Sequence, residues 1–205
     1  MASPDTAEPH ALEHTWCFWE QNAPDGKKQL SAQEWKNLQR NLGAFNTVED
    51  FWKCYSHLPA PSAVFYDGKS RKRVGPPGDD RVIESFSLFK QGIEVEWEDP
   101  ANIRGGEWWI RKSLKTDVLD RYWNNLVLGL VGCTIENGNE ITGARVVDKA
   151  AKGAYTMFRI ELWLRTKDPT IRQQLRDSMI EVMTDGDQNK ANELQNDFQW
   201  KMHGV

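Results

Sequence analysis

Between Phe158 and Arg165 the chain alternates without a break. Phe158, Ile160, Leu162 and Leu164 fall on one side, and Arg159, Glu161, Trp163 and Arg165 on the other. Successive side chains of a strand point to opposite faces. This segment therefore belongs to a sheet with one apolar face to bury and one face that carries charge and a tryptophan. The apolar face needs a helical cover, and three segments can supply it. Thr47 caps a helix with Asp50 at capping-box spacing, and Pro59 ends it. Thr116, with Asp117 and Asp120 in the first turn, opens a second helix; Leu119, Tyr122, Trp123, Leu126, Val127 and Leu130 form its broad apolar face, and Gly132 closes it. Asp168-Pro169 starts a third, striped by Ile171, Leu175, Met179 and Met183 and closed by Gly186.

Strands are expected at Trp16–Trp19, at Phe86–Phe89 and Ile93–Trp97 around Gln91-Gly92, and at Trp108–Arg111. A hairpin is expected from Thr134-Ile135 through an Asn137-Gly138 turn to Ile141–Val147. Phe198–Met202 completes about eight strands, joined by hairpins or single helices. The fold class is α+β with a mainly antiparallel sheet. Residues 1–14 read as a flexible polar lead and 15–205 as one domain. Asn22–Ser31 is turn-rich. Residues 59–84 have loop composition and enclose the basic run Lys69-Ser-Arg71-Lys72-Arg73, expected either as a solvated mobile loop or as an electrostatic contact for RNA or a partner.

Composition excludes several classes. No apolar run is long enough to cross a membrane, and the first residues lack the organisation of a secretory signal. Three cysteines form no CxxC pair, which fits a reduced, cytoplasmic protein. A net charge of −4 argues against a broad non-specific nucleic-acid surface. GxSxG, HExxH, GxxxxGK[ST] and GxGxxG are all absent, and the four histidines lack metal-ligand spacing. Neither catalysis, a metal nor a cofactor is expected.

Ten tryptophans are more than a core needs, because each brings an N–H to satisfy. Trp163 lies on the polar side of its strand, in line with Arg159. Trp97 sits at a strand-to-loop junction beside Glu98, and Trp35 follows a loop. Aromatic residues over an uncovered sheet face make stacking platforms. Lys149, Lys152 and Arg159 could hold phosphates, and Glu98 could accept the N–H groups of a purine edge. A cationic purine suits such a site best. On the helix opened by Thr47, Phe51, Cys54, Tyr55 and Leu58 make one ridge and Val48 and Trp52 a second. A helix needs one buried stripe, so the second ridge is free to be exposed.

Thr47-Val-Glu-Asp-Phe-Trp52, Ser87-Leu-Phe-Lys90 to Gly92-Ile93, Trp97-Glu98-Asp99 and Gly105-Gly106-x-Trp108 follow in order. Together they resemble the translation initiation factor 4E family, from about His10 to the helix after Asp168. The resemblance implies a cupped, curved antiparallel sheet with three helices on its convex back. It implies binding of the 7-methylguanosine cap of mRNA. Trp35, which precedes Trp52 by the family's spacing of seventeen residues, and Trp97 would sandwich the base. Glu98 would bond the guanine N1 and N2 groups and Trp163 would contact the N7-methyl. Lys149, Lys152 and Arg159 would hold the phosphates. It also implies a back face that takes a helical peptide with a Tyr-x-x-x-x-Leu-hydrophobic motif, carried by a factor 4G-like scaffold or a 4E-binding protein. Trp52 and Val48 match that face, and His10, Leu128 and Gly132 fall at further contact positions.

Departures from the family pattern point to a divergent paralogue, and kinetoplastid-type members diverge in similar ways. Asn124 and Asn125 follow Trp123 at partner-binding positions where the family usually has Leu-Glu, which removes an apolar anchor and a charge and argues against ordinary factor 4G binding. Ala11 replaces a usual proline. Glu107 stands where a basic residue is frequent, which should weaken phosphate contact or alter cap preference. The expected protein is a monomeric, non-catalytic cap-binding factor in translation initiation or its regulation. The alternative is a repressor or regulatory module of weakened cap affinity that works mainly through protein partners.

Overall fold

The computed structural model describes residues 8–24, 30–78, 80–150 and 156–204. Seven strands form one curved sheet in the order β2-β1-β3-β5-β6-β4-β7, with every neighbouring pair antiparallel. In chain order they are β1 (Ala11–Asn22), β2 (Gln39–Thr47), β3 (Ile83–Lys90), β4 (Gly106–Lys112), β5 (Ile141–Asp148), β6 (Phe158–Leu164) and β7 (Gln199–Met202). Helices α2 (Val48–Tyr55), α4 (Thr116–Val131) and α5 (Pro169–Thr184) are the three expected. Short helices α1 (Ala32–Asn37), α3 (Pro61–Val64) and α6 (Gln188–Gln195) are added to them.

The β6 pattern sorts the molecule. Phe158, Ile160, Leu162 and Leu164 enter the main core, where they meet Leu119, Leu126 and Leu130 of α4 and Leu175, Met179 and Met183 of α5. Trp163 lies in a separate cluster with Phe89 and Val95, bordered by Trp19 and Ile93. Gly143 on β5 pairs with Trp163. A Cβ there would fall 2.4 Å from the Phe89 ring, so glycine is what lets Phe89 lie against the strand. The caps form much as expected: the Thr47 hydroxyl accepts from Asp50 N–H, and Asp168 accepts from Thr170 and Ile171. The residue at the α4 N-cap is Lys115, one before Thr116, and it gives no side-chain bond.

Several expectations are corrected. The described residues contain seven strands, close to the expected eight or so, but two expected strands are not among them. Ile93–Trp97 forms no strand, and Thr134-Ile135 forms none either; a short 3-10 turn at Gly138–Glu140 leads into β5 instead. The strand expected at Trp16–Trp19 starts at Ala11, so residues 11–14 of the anticipated flexible lead belong to the sheet. Residues 1–7 lie outside the described residues. The 59–84 segment is not simply a solvated loop. Phe65 is fully buried, stacked at 5.9 Å on Phe86 and 6.2 Å on Phe158. Asp120 of α4 accepts from Ser62 N–H and Oγ at 2.9 and 2.5 Å, and Val74 bridges to Arg81. Phe65→Ala should therefore cost about 3–5 kcal/mol in chemical denaturation. A change below about 1 kcal/mol would remove this segment from the core.

Candidate functional site

On the sheet face opposite the long helices lies a cleft of about 680 Å³. Trp35, Trp97, Glu98, Lys149, Arg159 and Trp163 all line it. Lys152 lies outside the described residues.

Trp35 sits on α1, a helix too short to hold itself by propagation. A capping box makes up for that. Ser31 Oγ accepts from Glu34 N–H at 3.2 Å, and the Glu34 carboxylate accepts from Ser31 N–H at 2.9 Å. Ser31-x-x-Glu34 is legible in the sequence, and it is the signal by which this helix could have been found.

Trp97 and Glu98 sit on an irregular loop whose backbone is held by two side chains. Asp99 accepts from the Glu94 and Ala101 N–H groups at 2.9 and 2.7 Å. Asn102, fully buried, donates from Nδ2 to the carbonyls of Glu94 and Glu96 at 3.2 and 2.8 Å. These bonds replace the ladder that an Ile93–Trp97 strand would have made, and they leave Trp97 46% exposed. Two contacts join this loop to the Trp35 side. Lys36 pairs with Glu96 at 3.2 Å, and Gln39 Nε2 donates to Val95 O at 3.3 Å. The residue after Trp35 is thus tied to the residue before Trp97. Gly105 lets the end of the loop pass β6, since a Cβ there would meet Leu164 O at 1.9 Å.

The floor of the cleft is charged and paired. Arg159 bonds to Glu107 and lies 2.9 Å from Glu161. Arg145 lies 3.6 Å from Glu161, which also accepts from Trp163 Nε1 at 2.8 Å. Buried His203 lies with Nε2 3.3 Å from Glu107 and Nδ1 3.1 Å from Asn102 O. Its ring is tilted against Trp163 at 4.6 Å. Burial alone would raise the Glu107 carboxyl, but the His203 hydrogen bond and the Arg159 charge outweigh it and hold the group below its ordinary value. Burial pushes the Lys149 ammonium down, opposed by Glu84 at 4.0 Å. Five carboxylates (Glu84, Glu96, Glu98, Glu107, Glu161) face five Lys and Arg side chains in this cleft.

On the opposite side of the molecule, Val48 and Trp52 are 37% and 49% exposed, the second ridge expected from the sequence. Exposed His10 adjoins them: its Nδ1 lies 2.7 Å from Glu49, and its carbonyl accepts from Val48 N–H. Asn124 accepts from Tyr55 OH at 3.2 Å, and Asn125 donates to Met183 O at 3.2 Å. These two residues therefore bond α4 to α2 and α5. Leu128 is half-buried and Gly132 exposed.

A family model described as eukaryotic initiation factor 4E matches residues 11–204. The chain belongs to this family. Eukaryotic translation initiation factor 4E-1 of Solanum habrochaites is 35% identical over 156 residues, 76% of this chain and 56% of that protein. The Bos taurus factor 4E is 33% identical over 165 residues, 80% of this chain and 64% of that protein. The chain thus spans less than two thirds of the length of these 4E relatives. Among solved structures, C. elegans eIF4E-3 with the 4E-binding protein Mextli superposes with a TM-score of 0.71 at 23% identity, covering 96% of this chain and 94% of that one. Ascaris suum eIF4E-3 with m7G cap superposes at 0.69 and 24%, covering 95% and 92%. These two likenesses establish the 4E fold.

The sequence reading placed Glu161 on the charged face of β6 without giving it a role, and it did not find Asn102, Arg145 or His203. Asn102 is one polar residue in a polar loop, and nothing local marks it as a staple. Asn102→Ala should leave two carbonyls unpaired and cost about 2 kcal/mol. Hydrogen exchange across residues 93–99 should quicken by at least about tenfold; unchanged protection would show that the loop is held by other bonds. Glu107 yields a pH prediction. Its carboxyl is depressed in the fold, so its contribution to stability is complete above the ordinary carboxylate value of 4.5 and is lost as pH falls through the folded-state value. Glu107→Gln should destabilise by about 2 kcal/mol at neutral pH, and the deficit should shrink below that range. A deficit independent of pH would remove the charge from the explanation.

Proposed function

We propose that this protein binds the 7-methylguanosine 5′ cap of mRNA in the cleft and acts, without catalysis, in translation initiation or its regulation. One observation carries the reading. Six side chains, from α1, the 91–105 loop, the end of β5 and β6, line one cleft, with two tryptophans on separate elements that are tied to each other. Family membership and the capped Ascaris suum neighbours, one with m7G and one with m2,2,7G, support it.

The chemistry follows from the residue types. Trp35 and Trp97 take the two faces of the methylated base, whose positive charge is attracted to indole faces; each stack contributes about 1–3 kcal/mol. The exposed Glu98 carboxylate accepts the guanine N1 and N2 hydrogens. Trp163 closes the far edge against the N7-methyl, held in place through its bond to Glu161. Lys149, Arg159 and Lys152 attract the phosphates. For Arg159 the ligand competes with Glu107 and Glu161, so the site draws more of its affinity from the base than a cleft lined mainly by cations would.

The exposed Val48 and Trp52 ridge is the second site, for a partner helix with the Tyr-x-x-x-x-Leu-hydrophobic pattern. The C. elegans neighbour bound to a 4E-binding protein supports it. With Asn124 and Asn125 bonded to neighbouring helices, less of the docking energy comes from α4 and more from Trp52.

Tryptophan fluorescence should be quenched by 7-methyl-GTP and far less by GTP. Glu98→Ala should cost about 2–4 kcal/mol of that affinity. Trp52→Ala should leave it unchanged while abolishing capture of a peptide carrying the partner motif. Equal response to both nucleotides would sink the cap reading.

A further inference from the structure

The basic run 69–73 has no part in the cleft, yet the fold places it beside the cleft's phosphate end. Buried Asp148 makes the connection. Its carboxylate accepts from Tyr66 N–H at 3.0 Å and from Ala150 N–H at 2.9 Å, so one side chain joins the start of this segment to the end of β5. Lys149, which lines the cleft, lies between those anchor points, and its own N–H donates to Met157 O. Further along, Arg71 Nη2 reaches Ala150 O at 3.5 Å. Ala150 is one residue from Lys149, and adjacent Cα atoms are about 3.8 Å apart. The basic run therefore continues the wall that Lys149 begins.

The run keeps most of its charge. Lys69, Arg71 and Arg73 are exposed. Lys72 donates to Ser62 O at 2.6 Å and Arg71 to Ala150 O, both backbone carbonyls that orient a cation without cancelling it. Asp67 accepts from the N–H groups of Lys69 and Ser70 and so shapes the turn, and its charge also faces Lys72 and offsets part of that cation. Arg73 pairs with Asp80. On a chain of net charge −4, four cations in five residues form a local patch, not a general property of the surface.

We infer that Lys69, Arg71 and Lys72 form a track for the phosphate backbone of the RNA nucleotides that follow the cap. This rests on the cap reading above for its direction. It goes beyond it in assigning a second, sequence-independent RNA contact to the 59–84 segment. Such contact is electrostatic and salt-dependent, and it adds affinity for capped RNA over the isolated cap nucleotide.

The test compares 7-methyl-GTP with an m7G-capped RNA about ten nucleotides long, and includes the same RNA uncapped. The proteins are wild type, Lys69→Glu and Lys69→Glu/Arg71→Glu. At low salt the wild type should hold the capped RNA about threefold to tenfold more tightly than 7-methyl-GTP. The single variant should reduce that advantage and the double variant abolish it, with 7-methyl-GTP affinity unchanged in both. The salt slope for RNA should become shallower by about 0.7 for each phosphate that the variant no longer neutralises. Equal wild-type affinity for the two ligands, as expected of a patch that serves an acidic protein, would overturn the inference. So would an advantage that survives the double variant. If no protein binds 7-methyl-GTP but RNA binding still falls with Lys69 and Arg71, the cap reading fails and the track stands.

Discussion

A β-strand has two faces, and in this protein only one is given to the long helices. Alternation along β6 sends Phe158, Ile160, Leu162 and Leu164 under α4 and α5, and Arg159, Glu161 and Trp163 to the other side. Each large apolar residue so buried contributes about 1.5–3 kcal/mol. A one-residue slip would exchange the faces and place two charges in the core. Register is therefore the constraint on which the cleft depends. With β6 fixed, β4 presents Glu107 opposite Trp163, and β5 presents Gly143 on the other side of it.

The parts of the fold that were legible in the sequence are those where one residue type repeats at one period. The stripes of α4 and α5, the β6 alternation and the unneeded second ridge of α2 are of that kind. Ile93–Trp97 also alternates, and there the pattern misleads. Side-chain bonds from Asp99 and Asn102 capture the backbone groups that a neighbouring strand would have taken. β2 and α1 were missed for different reasons. β2 is a polar strand with a single fully buried residue, Phe45, and α1 has fewer than two turns. The buried Phe65 sits in a segment whose prolines, glycines and charges conceal it. The site residues drawn from separate elements were gathered through resemblance to a family. Of their pairing partners, Glu161 shares the charged face of β6 and is legible from its alternation, whereas Arg145 and His203 follow from tertiary contact and leave no local trace.

The charged floor bears on what the cleft can accept. Carboxylates and guanidinium groups taken from water need one another, because desolvation of an unpaired ion costs several kcal/mol. Here Glu107 and Glu161 meet that need for Arg159 and Arg145 before any ligand arrives. The pairs fix the orientation of the guanidinium groups in advance and weaken their pull on an incoming anion. On the proposed cap reading, a cationic base meets no such opposition, and discrimination shifts toward the base and away from the phosphate tail. The basic track inferred beside Lys149 would restore attraction for phosphate at a distance from that floor.

Strand order has a further consequence, for solubility. β2 and β7 are the outer strands, and an open strand edge is a template for pairing with another copy. β7 offers four residues, and β2 is interrupted by Gly43 at φ +140° and by register shifts in its pairing with β1. Arg40 and Asn41 add polar character along the same border. One edge is too short and the other too irregular to seed a growing ribbon. A short strand and an irregular one thereby guard the sheet's two borders against pairing with another copy.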